Sequence, residues 1–167
     1  MVNIMREYPA KFPIHKGKMG AAQFSPIPPT WEEKSGPNGP ACKVVRTGAI
    51  YLEMAPFLAK NANGDDTFDW QNRKNDFSFG LNDIAQILGA MNSGTELRLT
   101  HDDPAKLKSL SLTPGKDQYV GTWKIFLKVT LKADNSSNIT NIALSAGEAE
   151  ILYNILRVWP LYALGWI

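Results

Sequence analysis

The chain has 167 residues, of which 44% are apolar and 20% charged, with a formal net charge of +2. These values suit one domain with a full hydrophobic core. No apolar run approaches the roughly 18 residues of a membrane span, and the single cysteine, Cys42, excludes an intrachain disulfide and a cysteine zinc site.

The first twenty residues hold Arg6, Lys11, Lys16 and Lys18 against Glu7. They lack the apolar run of a secretory signal, and Pro9 and Pro13 interrupt any amphipathic helix. Residues 1–13 are expected to form an N-terminal arm and 14–167 a single domain. Lys16-Gly17-Lys18 reads as the start of a strand, with both lysines on one face and Gly17 leaving the backbone accessible. Residues 25–41, SPIPPTWEEKSGPNGPA, are expected to be a loop or an extended crossing segment.

Period-two patterns follow. Ile50, Leu52 and Met54 fall on one face, with Ala49, Tyr51 and Glu53 on the other. Residues 60–66, KNANGDD, read as a hairpin loop. Phe77 and Phe79 share a face. Asp69-Trp70 precedes Arg73-Lys74, which sets an aromatic near two cations; a core tryptophan beside an exposed charged turn is an equal reading. Ile84, Ile87, Leu88 and Met91 form one helical stripe, capped by Asn82 or Asp83 and followed by Gly94. Leu97 and Leu99 alternate inward. His101-Asp102-Asp103 reads as a turn before Pro104 rather than as a metal corner.

Residues 104–132 hold six lysines against Asp117, a net of +5, while the rest of the chain carries 12 basic and 15 acidic residues. Such asymmetry marks either a polyanion-binding face or a solvated lysine-rich sheet. Tyr119 to Lys132 reads as one strand. Tyr119, Gly121, Trp123, Ile125, Leu127, Val129 and Leu131 would face the core. Lys124, Phe126 and Lys128 would share the opposite face, where cations can neutralise phosphates and an aromatic can stack on unpaired bases. The alternative is that Phe126 covers a second small core.

Residues 113–118 and 133–137 read as turns. A second helix starts at the capping box Ser145-Ala146-Gly147-Glu148. Its apolar face is Ala149, Leu152, Tyr153, Leu156 and Trp159, and a bend or break is expected at Pro160. The apolar tail Leu164-Gly165-Trp166-Ile167 is expected to pack into the core or a neighbouring subunit. No nucleophile elbow, zincin motif or phosphate-binding glycine loop occurs, so neither an enzyme, a cofactor nor a metal site is expected.

Taken in order, four segments resemble the Whirly family of single-stranded DNA-binding proteins. They are His15-Lys16-Gly17-Lys18-Met19-Gly20-Ala21-Ala22, Asp69-Trp70-Gln71-Asn72-Arg73-Lys74-Asn75-Asp76-Phe77-Ser78, the helix near 82–91, and Trp159-Pro160-Leu161-Tyr162-Ala163-Leu164-Gly165-Trp166. The resemblance implies an α+β fold of two crossed four-stranded antiparallel sheets, a short helix and a C-terminal helix-loop-helix that forms homotetramers. It also implies binding of single strands along sheet edges and between protomers, with Lys16 and Lys18 contributing. Lys16, Lys18, Lys74, Lys124 and Lys128 are therefore the candidate phosphate ligands, and Tyr51, Trp70 and Phe126 the candidate stacking residues. The partner would be single-stranded DNA, bound with little sequence preference during replication, recombination or repair. RNA is the alternative, since the kinetoplastid mitochondrial guide-RNA-binding proteins are similar in fold; an oligomeric scaffold without nucleic acid is the third reading. With no plant-type transit peptide, the expected setting is the cytoplasm of a bacterial or phage-infected cell, or else an organelle matrix or nucleoid.

Overall fold

The computed structural model describes residues 11–36 and 39–164. In chain order the elements are β1 (Phe12–His15), β2 (Ala21–Ile27), β3 (Thr30–Gly36), β4 (Gly39–Arg46), β5 (Ala49–Ala55), β6 (Phe57–Lys60), β7 (Asp66–Phe68), β8 (Asn75–Phe79), α1 (Leu81–Ser93), β9 (Leu97–Asp102), β10 (Lys106–Pro114), β11 (Trp123–Leu131), β12 (Ser137–Leu144) and α2 (Ala146–Ala163). Two antiparallel four-stranded sheets form, in the orders β1-β2-β5-β8 and β12-β11-β10-β9; β3-β4 and β6-β7 are separate hairpins. This is the α+β architecture expected for the chain.

Alternation creates the core. Leu52 pairs with Phe24 on one side and Phe77 on the other, so one face of the first sheet is a row of large apolar side chains. In the second sheet Leu99, Leu110 and Leu127 form the equivalent row, and Ile84 and Ile87 of α1 and Leu152 and Leu156 of α2 join the same buried cluster. Burying each such side chain is worth roughly 1.5–3 kcal/mol. His101 lies at the polar end of this interface, stacked on Phe77 at 4.1 Å between ring centroids. Its Nε2 is 3.1 Å from Asp83 Oδ2.

The helices end as their sequences direct, with two changes. Gly80 is the N-cap of α1. Asp83 works from inside the first turn, accepting the Gly80 N–H at 2.9 Å, where a carboxylate also meets the positive end of the helix. Gly94 closes the helix at φ +65°. In α2, Ser145 N–H donates to Glu148 at 2.8 Å and Glu148 N–H donates to Ser145 Oγ at 3.3 Å, the expected reciprocal cap. The helix does not stop at Pro160 but runs on to Ala163. Proline costs its own N–H bond, but one turn from the end little remains to disrupt, and Leu164 N–H still reaches Pro160 O at 3.0 Å. Leu164 is half-buried, while the rest of the expected tail contact, 165–167, lies outside the described residues. So does most of the expected N-terminal arm, of which Phe12 and Pro13 stand in β1.

Three further expectations are corrected. Of the two readings of 25–41 the loop fails, because the segment is extended: Ser25 to Ile27 complete β2, Pro28-Pro29 interrupt the backbone donors, and the chain then makes the β3-β4 hairpin. Its prolines are tolerated because Pro26 lies beyond the end of the β1 pairing, and Pro40 sits in a ribbon with open edges. Lys16-Gly17-Lys18 does not start a strand but makes a 3₁₀ turn over Gly17–Met19. Gly17 has φ +55° and Gly20 φ +118°, conformations that turn the chain back into β2. Finally, β11 begins at Trp123. Tyr119 ends a preceding 3₁₀ turn and is 60% exposed, and Gly121 adopts φ +88°, so neither belongs to the core face. Leu131, at the other end, is also exposed.

Candidate nucleic-acid interface

From Trp123 to Val129 every odd-numbered side chain is buried and every even-numbered one exposed. Lys124, Phe126 and Lys128 therefore stand on the open face of the second sheet, about 7 Å apart along the strand. Cross-strand register extends each into a row. Phe126 lies between Ser111 and Asn141, with Arg98 beyond Ser111. Lys128 lies between Ser109 and Ile139, with Thr100 beyond Ser109, and Lys124 lies between Thr113 and Ala143. No helix is needed to cover a face made of small hydroxyl and amide groups. Phe126 is 36% and Ile139 49% exposed, so no second core covers them. Arg98 and Ile139 were not singled out from the sequence. Arg98 stands between the inward Leu97 and Leu99 and so falls outward by alternation alone; Ile139 becomes visible only through strand register.

The other candidates sit elsewhere. Tyr51 and Glu53 occupy the outward face of the first sheet, opposite Ser78 and Asp76 of β8. Burial, with Asp76 beside it, pushes the Tyr51 hydroxyl up to about 12. Glu53 is buried and accepts from Lys74 Nζ at 2.5 Å and from Gln23, with Lys11 3.8 Å away. Burial alone would raise its carboxyl. The hydrogen bonds from Lys74 and Gln23 and the lysine charges outweigh that and hold it below the usual carboxylate range. Lys108 reaches across from β10 to bond Asp76, which sutures the two sheets. Trp70 stands in the turn after β7, half-buried. Its neighbour Asp69 accepts Asn72 N–H and Arg73 Nε–H, both at 3.0 Å, and these bonds lower the Asp69 carboxyl.

Lys16 and Lys18 divide. Lys16 Nζ is 2.5 Å from Glu148 Oε2, whereas Lys18 is exposed. Among the described residues, Lys18, Lys124 and Lys128 have no ion-pair partner, while Lys16 and Lys74 are each held by a glutamate. The eight candidates thus form no single cluster: Lys124, Phe126 and Lys128 share one surface, Tyr51 and Lys74 lie by Glu53 on another, Trp70 stands in the turn after β7, and the Lys16–Lys18 turn docks at the start of α2. Among the described residues no group of side chains is arranged to hold a metal ion, and no helix is long and apolar enough to cross a membrane.

Several known proteins share this architecture. The family model described as "Whirly transcription factor" matches residues 14–155. The plant transcriptional regulator PBF-2 superposes with a TM-score of 0.79 at 25% identity, covering 97% of this chain and 94% of that one. WHY1 from Arabidopsis thaliana gives a TM-score of 0.75 at 24% identity, covering 96% and 93%. The trypanosomal MRP1/MRP2 structure is a more distant neighbour, with a TM-score of 0.55 at 9% identity and coverage of 96% and 89%. No curated protein matches the sequence. With 14–155 matched by the family model and the fold shared over nearly the whole chain, this protein belongs to the Whirly family.

Proposed function

We propose that this protein binds single-stranded DNA with little sequence preference, and protects or organises it during replication, recombination or repair. The observation that carries this reading is the open row Lys124-Phe126-Lys128, two ammonium groups without an ion-pair partner among the described residues, flanking an exposed aromatic ring. Ammonium groups displace counterions from phosphates, and an aromatic face stacks on any base that is free of pairing. Neither contact reads sequence. Lys18 adds a further exposed cation. Lys16 and Lys74 contribute at the cost of their glutamate partners, and Tyr51 and Trp70 serve a strand that continues onto the first sheet. The working form is a homo-oligomer, a tetramer assembled in part through α2, whose outward side chains include the exposed Ile151, Val158 and Leu161.

Sedimentation of the free protein and of its complex with a 30-nucleotide strand tests both parts: a tetramer that takes up the strand is expected, and a tetramer that ignores it leaves only a scaffold. RNA is the second reading, carried by the resemblance to the kinetoplastid guide-RNA-binding proteins. Competition between DNA and RNA oligomers of one sequence separates the two, because a site that uses the 2′-hydroxyl prefers RNA.

A further inference from the structure

The connection from β10 to β11 is a loop closed on itself. Gly115 N–H donates to Thr122 O at 2.8 Å, Tyr119 N–H to Lys116 O at 2.9 Å and Thr122 N–H to Tyr119 O at 3.0 Å. Thr122 Oγ1 donates to the same Tyr119 oxygen at 2.7 Å. Asp117 is held at φ +52°, a left-handed conformation that a non-glycine residue keeps where its neighbours impose it. This fixed loop carries two exposed apolar side chains, Tyr119 and Val120, neither of which serves the core. Register shows which side of the sheet the loop takes. Thr113 and Lys124 pair on the open face, and Pro114 and Trp123 follow on the covered one, so alternation returns Gly115 to the open face. A Cβ on Gly115 would stand 2.2 Å from both Thr122 Oγ1 and the Tyr119 carbonyl oxygen. The turn that bears Tyr119 is therefore folded over the open side, just beyond Lys124.

We propose that Tyr119 is a further stacking residue for a bound single strand, an assignment that rests on the single-strand reading above. A strand lying along Lys128, Phe126 and Lys124 meets this loop at the start of β11. Thr122 lies about 7 Å beyond Lys124 along the chain, and Tyr119, bonded to Thr122, continues the row on the same side. Two rings, Phe126 and Tyr119, then stand on either side of the Lys124 ammonium, in the alternation of aromatic and cation that a chain of bases and phosphates requires. The exposed Lys116 adds a second charge at the loop, beside its one acid, Asp117. Stacking needs only the face of a base, so this contact is as tolerant of sequence as the rest of the row. The loop's own hydrogen bonds already order it, so seating a base there costs little conformational entropy.

The test uses the full chain and a 30-nucleotide oligothymidylate, titrated by fluorescence anisotropy. Tyr119→Ala is expected to weaken binding by about 5- to 100-fold and to leave the slope of log affinity against log salt unchanged, since no phosphate contact is lost. Tyr119→Phe should bind like the parent chain and Tyr119→Leu like the alanine variant, because the face of the ring, and neither its hydroxyl nor its bulk, holds the base. All three should melt as the parent does, the side chain being on the surface. Unchanged affinity in Tyr119→Ala, or full affinity in Tyr119→Leu, with oligothymidylate still bound by the parent chain, would overturn the stacking role and leave the single-strand reading standing. A parent chain that does not bind oligothymidylate would remove that reading and this assignment with it.

Discussion

The ammonium of Lys16 lies 2.5 Å from Oε2 of Glu148, joining the turn after β1 to the first turn of α2. That same oxygen accepts Ser145 N–H and Ser145 Oγ–H, each at 2.8 Å. Burial would raise the Glu148 carboxyl, but the bonds from Lys16 and Ser145 hold it below the usual carboxylate range. One carboxylate therefore caps the C-terminal helix and occupies a lysine of the Lys-Gly-Lys turn.

Lys16→Met should lower stability by about 0.5–1 kcal/mol, the range of a partly exposed pair. Because Glu148 is more acidic in the folded state, its contribution is present above the unfolded value, about 4.3, and fades as pH falls through the folded one. Thermal melts between pH 3 and 7 should show a shallower acid loss in the variant. The same substitution should weaken single-strand binding less than Lys18→Met does, since Lys18, unlike Lys16, has no carboxylate partner among the described residues.

Glu53 follows the same sign. It is buried among Lys74, Gln23 and Lys11, and its carboxyl is held low, so the stability it contributes is lost on acidification. Glu53→Ala should cost about 1–3 kcal/mol in chemical denaturation at neutral pH, because Gln23 and Lys74 lose a buried acceptor. A loss under about 0.3 kcal/mol, below the additivity error of point variants, would mean that these groups rehydrate freely.

Phe126→Ala should weaken single-strand binding by about 5- to 100-fold, the range of base–aromatic stacking, and change stability by less than about 0.5 kcal/mol because the ring is a surface side chain. Replacing both Lys124 and Lys128 with glutamine should lower the slope of log affinity against log salt by about 1.4, or about 0.7 for each phosphate no longer neutralised. Unchanged affinity in both variants would show that the strand takes another face.

Gly20→Ala tests the turn itself. Gly20 has φ +118°, and a Cβ would stand 2.7 Å from the Ala55 carbonyl oxygen, so the backbone must move. A cost of about 1–3 kcal/mol is expected in denaturant unfolding; a neutral substitution would mean that the turn relaxes without strain.

Much of this was legible in the sequence because it depends on short-range periodicity. The alternation from Trp123 to Val129, the α1 stripe and the Ser145–Glu148 cap each follow from neighbours within a turn or a strand. The misreadings arose where backbone conformation overrides composition. Proline and glycine over 25–41 suggested a loop, yet open ribbon edges accept proline. Gly17 and Gly20 supply positive φ for a turn, where spacing alone suggested a strand. Long-range partners were beyond reach: nothing local links Lys16 to Glu148, Lys74 to Glu53, or Ile139 to the row of Lys128. The number of free lysines, and hence the weighting of the candidate contacts, depended on those pairings.

The central claim, sequence-tolerant single-strand binding, is tested most directly by fluorescence anisotropy with a 30-nucleotide strand and its duplex at low and moderate salt. Tight binding of the single strand, weak binding of the duplex and an affinity that falls as salt rises are predicted. Binding to neither, or equal binding to both, would contradict it.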